Sequence, residues 1–108
     1  MATRAVISLP AALKANDAFE VRATVAHAME TGYRSSDEGA RLPRDLVRRF
    51  ECRLDGELVF AADLFAAISA NPYVSFWMRA SKAGELRFSW RGDNGFEHFE
   101  VRALNVAT

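Results

Sequence analysis

Hydrophobic and polar residues alternate with a period of two over most of the chain. Phe19, Val21, Ala23 and Val25 are separated from one another by single charged or polar residues. This pattern is typical of a β-strand with one buried face, because successive side chains of a strand point to opposite sides of the sheet. Similar runs occupy residues 5–9, 50–54, 58–60, 74–78, 86–90 and 99–103.

Turn sequences separate these runs. Asp55-Gly56 stands between two of them and favours a tight β-hairpin, because glycine adopts the positive φ that such a turn requires. After Ala103 the apolar phase shifts to Leu104, which predicts a β-bulge. About seven short strands with regularly spaced turns predict an all-β fold, an immunoglobulin-like β-sandwich, as one domain over residues 1–108.

Two segments do not alternate. Residues 28–46 contain glycine, serine and proline and are predicted to form a long loop, which in a compact domain is often functional. Residues 63–70 are predicted to form a short helical turn with Asp63 as its N-cap. Asn71-Pro72 would end this turn, because the residue before a proline disfavours the helical conformation.

Composition and charge exclude several classes of function. Of the 108 residues, 50% are hydrophobic and 26% are charged, as in ordinary globular domains. Fourteen basic residues balance fourteen acidic ones, so no net field attracts the chain to nucleic acid or an anionic membrane. No stretch approaches the ~20 apolar residues of a membrane span, and the apolar run in residues 1–9 is too short for a signal peptide. The most basic segment also holds acidic residues, and its arginines are Arg41, Arg44, Arg48, Arg49 and Arg53.

His27, Cys52 and His98 are the candidate reactive side chains. Cys52 shares its alternation with apolar residues of its strand, which predicts a buried thiol rather than a nucleophile. His98 alternates with Phe99 and Val101, which predicts a solvent-facing position. The alternative hypothesis is a metal- or redox-active sandwich that uses the three residues, although their spacing matches no ligand motif. No catalytic motif stands out, so we expect a non-enzymatic module without a cofactor.

The most specific signal lies in the long loop. Residues 27–34 read His-Ala-Met-Glu-Thr-Gly-Tyr-Arg, which resembles the segment His-Pro-Met-Glu-Thr-Gly-aromatic-Arg of the SoxZ family. Ala28 stands where the family usually has proline. Further matches follow in the family's order and at its spacing, so the resemblance covers nearly the whole chain. They are residues 43–45, 50–52, 55–60, 62–65 and 67–76.

This resemblance implies a fold, a partner and a cellular location. SoxZ proteins are immunoglobulin-like sandwiches that bind SoxY, which carries the sulfur intermediates of bacterial thiosulfate oxidation on a cysteine in a mobile C-terminal arm. We therefore expect the chain to help present that arm to the other enzymes of the pathway, with transient contacts to them, and to carry no covalent sulfur. The family works in the periplasm and is exported together with SoxY, so a signal peptide of its own is not expected.

Two non-alternating segments are the hypothesised partner-binding surface, because loops on a rigid sandwich commonly carry function. Exposed aromatic residues such as Tyr33, Tyr73 and Trp77 would be natural anchors at an interface. An isolated chain can also pair with itself through the vacant surface. The nine residues of this hypothesis are Met29, Glu30, Thr31, Gly32, Tyr33, Arg34, Asn71, Pro72 and Tyr73.

Overall fold

The chain folds into strands joined by loops and turns, as the alternation predicts. A computed structural model describes residues 4–65 and 68–107. Within these residues no helix is both long enough and apolar enough to cross a membrane. Seven of the described strands have four residues or more, which agrees with the predicted number. The strands are β1 Ala5–Ser8, β2 Leu13–Lys14, β3 Ala18–Val25, β4 Val47–Leu54, β5 Glu57–Asp63, β6 Tyr73–Arg79, β7 Gly84–Gly92, β8 Glu97–Leu104 and β9 Val106–Ala107.

The long strands form two antiparallel sheets, and β2 and β9 pair with each other in parallel. One sheet has the order β1-β3-β6 and the other the order β5-β4-β7-β8. Aromatic side chains join the two sheets: Phe60 of β5 stacks on Phe76 of β6 with ring centroids 4.2 Å apart. Phe50 of β4 lies between these rings and Trp90 of β7. The predicted immunoglobulin-like sandwich is thereby confirmed.

The core consists of alternate residues from the inner faces of both sheets. Phe50, Phe88 and Trp90 have no exposed surface. Full burial of a large apolar side chain contributes about 1.5–3 kcal/mol, so this aromatic group is a substantial part of what stabilises the sandwich. Cys52 is also fully buried, which confirms the prediction made from its alternation.

The Asp55-Gly56 turn joins β4 to β5 as a tight hairpin, as predicted. Asp55 has a φ of 48° and Gly56 a φ of 86°, and positive values at both central residues are those of a type I′ turn. The Asp55 carboxylate accepts a hydrogen bond from Glu85 N–H at 2.9 Å. The turn is therefore also bonded to the beginning of β7.

Residues 63–70 differ from the predicted helical turn. Asp63 is the last residue of β5 and caps no helix. Its carboxylate accepts a hydrogen bond from Arg49 Nη1 at 3.0 Å, and Leu64 N–H donates to the Arg48 carbonyl at 2.8 Å. Pairing with β4 thus keeps the backbone extended as far as Leu64, and beyond it Ile68 N–H donates to the Phe65 carbonyl at 3.0 Å. The middle of the predicted turn, residues 66 and 67, lies outside the described residues.

Strand β8 presents the opposite faces to those predicted. Phe99 is 50% exposed and Val101 is 37% exposed, whereas His98 is on the inner side. The cause is the register with β7, in which His98 stands directly opposite the buried Trp90. The predicted bulge is also wrong: the register of β8 continues without a shift to Leu104. Leu104 lies on the same inner face as His98 and is buried, so the apolar residues change from the outer to the inner face while the strand stays regular.

Three connections between strands meet at one end of the sandwich. The end of β3 pairs with the beginning of β6, since Thr24 lies opposite Tyr73. In the other sheet the beginning of β4 pairs with the end of β7, since Val47 lies opposite Gly92. We call this region the loop end, and its described residues are 26–46, 64–65, 68–72 and 93–96.

Asp93 bridges two connections of the loop end. Its carboxylate accepts hydrogen bonds from Leu46 N–H at 3.0 Å and from Arg48 Nε at 2.8 Å, and Arg44 Nε lies 3.5 Å away. The hydrogen bond from Arg48, followed by that from the Leu46 amide, holds the pKa of the Asp93 carboxyl below its ordinary value. The ionised form of Asp93 therefore stabilises the fold.

The substitution Asp93→Asn is expected to lower the free energy of unfolding at pH 7 by about 1–2 kcal/mol, because it weakens charge-assisted hydrogen bonds. A carboxyl whose pKa is lowered by folding stabilises the protein above its unfolded pKa, and this contribution disappears as the pH falls through the folded value. The difference between the variant and the original chain should therefore shrink below about pH 4.

Urea unfolding at pH 7 and pH 3 measures both differences. Asp37→Asn, in an exposed part of the long loop, is the matched control and should leave the free energy of unfolding unchanged at both pH values. A difference for Asp93→Asn that is equally large at pH 3 would contradict the electrostatic explanation.

Candidate partner-binding site

The two segments of the predicted surface lie side by side at the loop end. Asn71 Oδ1 accepts a hydrogen bond from His27 N–H at 2.9 Å, and Asn71 N–H donates to the His27 carbonyl at 2.6 Å. Thr24 Oγ1 donates to the Pro72 carbonyl at 2.9 Å. Asn71 has a φ of 53°, which asparagine tolerates better than most residues. The turn before β6 is thus fixed to the segment that leads into the long loop.

The long loop, residues 28–46, folds back on itself as an irregular hairpin. Glu30 and Asp45 exchange backbone hydrogen bonds of 2.8 and 2.7 Å. Gly32 has a φ of 89°, and a Cβ atom there would lie only 3.1 Å from Cβ of Arg44. Glycine is therefore needed at this position both for the backbone conformation and for the close approach of the two arms.

Met29 fixes the base of the hairpin from the inside. It is 6% exposed, its N–H donates to His27 Nδ1 at 3.0 Å, and its Sδ accepts the Val47 N–H at 3.2 Å. Its φ of 53° is uncommon for a residue other than glycine. Such a conformation persists only where the surrounding contacts determine it, and here two hydrogen bonds and burial do so.

His27 connects the hairpin to the third connection of the loop end. Its ring packs edge-on against Phe96 with centroids 4.7 Å apart. Because Nδ1 accepts the Met29 N–H, the ring proton lies on Nε2, which is 3.5 Å from Asp45 Oδ1. The first residue of the conspicuous sequence motif is therefore a buried support of the loop.

The accessible part of the hairpin carries an aromatic side chain next to an ion pair. Tyr33 is 79% exposed. The Arg34 guanidinium donates to both carboxylate oxygens of Glu30, with its shortest contact 2.7 Å from Nη2 to Oε1. These hydrogen bonds lower the pKa of the Glu30 carboxyl. An exposed arginine is thereby held in one orientation, one residue after the exposed Tyr33.

The nine predicted surface residues fall into two groups. Met29 and Pro72 are buried and support the surface from beneath, so their side chains do not face a partner in this structure. Tyr73 is 58% exposed and extends the surface along β6. The residues that are exposed or partly exposed are Glu30, Thr31, Gly32, Tyr33, Arg34, Asn71 and Tyr73.

The three residues of the alternative metal or redox hypothesis are not brought together. His27 lies at the loop end, whereas Cys52 is in the middle of β4 and His98 is near the beginning of β8, with β7 between these two strands. His98 Nε2 lies 3.0 Å from Glu100 Oε1. Among residues 4–65 and 68–107, no group of three or more His, Cys, Asp or Glu side chains is arranged to hold a metal ion.

Sequence reasoning missed two features of this region. In the sequence, Asp93 stands out only as part of the turn Gly92-Asp93-Asn94-Gly95. In the structure its carboxylate lies close to the arginine-rich segment and connects two parts of the loop end. The second is an apolar groove of about 170 Å³ that adjoins Tyr73 on the outer face of the three-stranded sheet. It is lined by Val6, Ser8, Arg22, Ala23, Thr24 and Tyr73.

Comparison with solved structures shows which proteins share this fold. The superoxide reductase (neelaredoxin) from Ignicoccus hospitalis matches with a TM-score of 0.75 and 19% identity, over 97% of this chain and 82% of that chain. The sulfur carrier protein SoxY from Chlorobium limicola f thiosulfatophilum matches with a TM-score of 0.67 and 15% identity, over 94% of this chain and 74% of that chain. At these identities the likeness shows the fold alone.

Comparison of the sequence itself is more specific. A search of curated proteins returned no match. The family model described as "Sulphur oxidation protein SoxZ" matches residues 7–102, which is most of the chain and includes all nine residues of the predicted surface. The chain therefore belongs to the SoxZ family of sulphur oxidation proteins.

Proposed function

We propose that this chain is the non-catalytic subunit that binds a SoxY-type sulfur carrier and helps present its C-terminal cysteine arm to the enzymes of thiosulfate oxidation. The SoxZ family membership supports a role in sulphur oxidation. We further propose that the complex works in the periplasm, where the chain arrives together with its partner. The observation that supports placing the sulfur intermediate on the partner, rather than on this chain, is the position of Cys52.

Cys52 is unsuited to carry sulfur covalently. The thiolate is the form that attacks and bonds sulfur, and burial raises the pKa of the Cys52 thiol to about 12. Its side chain is fully buried and lies between Phe60 of β5 and Phe88 of β7 in the register of the sheet. The thiol is therefore protonated near neutral pH and closed to a substrate, which supports the proposal that the sulfur intermediate resides on another chain.

The loop end has the properties of a docking surface for that chain. Tyr33 and Tyr73 are more than half exposed, and aromatic residues and arginine are the side chains that most often dominate interface energies. Arg34 is already held by Glu30, and the backbone beneath is fixed by Met29 and Asn71. A surface ordered before binding loses less conformational entropy when the partner arrives.

Co-expression with the SoxY protein of the same organism tests the proposal directly. Native mass spectrometry should show a 1:1 complex, and treatment with thiosulfate and the sulfur-loading enzymes should add mass to SoxY and none to this chain. The same measurement on periplasmic and cytoplasmic fractions tests the location. A sulfur adduct on Cys52, or the absence of a complex, would refute the proposed role.

Tyr33→Ala and Tyr73→Ala are each expected to weaken SoxY binding about tenfold or more, since an aromatic anchor at an interface contributes more than 1 kcal/mol. Trp77→Ala is the matched control, because Trp77 is 68% exposed on the same strand and face as Tyr73 but lies four residues further along β6, away from the loop end. Isothermal titration calorimetry measures all three. Equal losses of SoxY affinity for Tyr73→Ala and Trp77→Ala would show that SoxY binds the outer face of the sheet rather than the loop end.

Cys52 should be unreactive in the folded chain. Iodoacetamide at pH 8 is expected to leave the native protein unmodified and to alkylate it fully in concentrated denaturant, because only unfolding exposes the thiol and restores its ordinary pKa. Intact-mass spectrometry counts the adducts. Rapid alkylation of the native protein would show that Cys52 is accessible and would remove the main argument for a carrier on another chain.

A further inference from the structure

Strand β6 forms one edge of the three-stranded sheet, and alternate residues of this strand direct their backbone groups away from β3. Before the strand begins, the Pro72 carbonyl accepts the Val25 N–H, and after it ends, Ala80 N–H donates to the Asp17 carbonyl. Hydrogen-bonded residues alternate along an antiparallel strand, so the even-numbered residues of β6 bond to β3. The residues whose backbone groups face outward are Tyr73, Ser75, Trp77 and Arg79.

This edge is open over residues 73–77. Within residues 4–65 and 68–107, no strand other than β3 pairs with β6. The Arg79 carbonyl already accepts the Ser81 N–H. From the other sheet, Phe60 stacks on Phe76, so β5 covers the inner face of β6 and leaves its edge uncovered. The side chains of Ser75 and Trp77 beside this edge are exposed.

The open stretch lacks the features that commonly protect an edge strand. A protected edge is short, bulged, interrupted by proline or supplied with charged side chains, some of which point inward. Strand β6 has seven residues in regular register with β3, and its one charged residue, Arg79, donates to the Asn16 carbonyl beyond the open stretch. The inward-pointing residues are apolar, namely Val74, Phe76 and Met78.

The other sheet edges among the described strands are protected in these ways. Strand β1 has only four residues, and the register of β5 shifts after Cys52. Strand β8 carries the inward-pointing Glu100 and Arg102, and Leu13 binds the chain just beyond it through the Asn105 carbonyl. The contrast identifies β6 as the edge that is open to pairing with a further strand.

Two exposed aromatic side chains stand on either side of the middle of this edge. Tyr73 and Trp77 are both more than half exposed and lie four residues apart on the outer face. Ser75 between them is small, and its hydroxyl donates to Glu20 of β3 at 2.6 Å. In an antiparallel pair of identical strands, only the register centred on Ser75 places both aromatic residues opposite aromatic residues. Tyr73 then faces Trp77 of the second copy, twice across the two-fold axis.

We propose that two copies of this chain pair through β6 in this register, so that their three-stranded sheets form one continuous six-stranded sheet. Ser75 exchanges both backbone hydrogen bonds with Ser75 of the second copy, and Tyr73 does so with Trp77 of the second copy. The pairing ends before Asn71, whose N–H is bonded to the His27 carbonyl. The connection from β5 is therefore not part of the paired stretch.

The charges near the axis favour a second copy as the occupant. The chain has no net charge, so long-range repulsion between copies is weak. Arg22 stands beside Ser75 on β3, but the Arg22 residues of the two copies are three strand spacings apart, about 14 Å, and each is paired with its own Glu20 at 2.7 Å. Residues 73–77 carry no charge that would select an acidic or basic strand, whereas a copy supplies an aromatic partner for each aromatic side chain.

This inference goes beyond the proposed binding of SoxY and does not depend on it. Tyr73 belongs to both surfaces, so the paired form is expected of the chain without its carrier. Sedimentation velocity of the full chain alone tests the pairing, and over a concentration series the mass should shift from 12.0 kDa to twice that value.

A lysine at the edge should abolish the pairing. Trp77→Lys places a charge opposite Tyr73 of the second copy and supplies the kind of residue that commonly protects an edge, so this variant should remain at the single-chain mass. Val6→Lys is the matched control. Val6 is an exposed apolar residue of the same outer face, but it lies on β1, two strands away from β6, so its variant should pair as the original chain does.

A proline tests the backbone hydrogen bonds. The Ser75 N–H faces the second copy and does not bond to β3, and proline is tolerated on an edge strand at such a position. Ser75→Pro should therefore fold, as circular dichroism verifies, and remain at the single-chain mass. If this variant does not fold, Trp77→Lys decides the result.

A disulfide tests the register. Residues opposite each other in a hydrogen-bonded antiparallel pair have Cα atoms about 5.5 Å apart, within the range that a disulfide spans. Ser75→Cys should therefore form a covalent dimer on mild oxidation, whereas the native Cys52 is buried and does not take part. Ser8→Cys is the matched control, because Ser8 is exposed in the same row of the sheet but lies on β1.

Three results would overturn the proposal: an original chain that stays at the single-chain mass at every concentration, a doubled mass that persists in Trp77→Lys, or crosslinking of Ser8→Cys in preference to Ser75→Cys. None of these measurements contains SoxY. Failure of the pairing therefore leaves the proposed function intact, and failure of the chain to bind SoxY leaves the pairing intact.

Discussion

The aromatic contact between the two sheets is the interaction on which the rest of this structure depends. Phe50 lies at its centre and contacts rings from both sheets, namely Phe60, Phe76, Phe88 and Trp90. Neither sheet has another way to bury its apolar face, since two sheets of three and four strands are stable only when they cover each other. The position of the loop end follows from this packing, because it fixes where the strands end and where the three connections meet.

The loop end is ordered by polar contacts where the core contributes little. Met29 is the exception, because it brings one apolar side chain beneath the hairpin and uses its sulfur to satisfy the Val47 amide. Asp93 and Asn71 then connect the hairpin to its two neighbours through hydrogen bonds to backbone groups. A long connection of this kind would otherwise be a flexible segment. A recognition surface on a rigid sandwich therefore rests on a few side chains that a partner does not touch.

Local sequence patterns were sufficient for features set by neighbouring residues. The period-two alternation predicts most of the strands, and Asp55-Gly56 predicts its hairpin, because both depend on geometry within a few positions. The inverted faces of β8 were not predictable in this way, because they are determined by the register with β7 that sets His98 opposite Trp90. Asp63 was misassigned for a similar reason, since its pairing with β4 is not visible in the local sequence pattern. Within the candidate site, sequence reasoning found the two segments but could not separate buried Met29 and Pro72 from exposed Tyr33 and Tyr73.

The two tryptophans give the molecule a built-in pair of spectroscopic reporters. Trp90 is fully buried in the aromatic core, whereas Trp77 is 68% exposed on the outer face of the other sheet. Their fluorescence therefore comes from two environments of opposite polarity, and a water-soluble quencher reaches one indole far more readily than the other. Unfolding of the core and binding of another molecule to the outer face therefore change the tryptophan fluorescence in different ways, without any label attached to the chain.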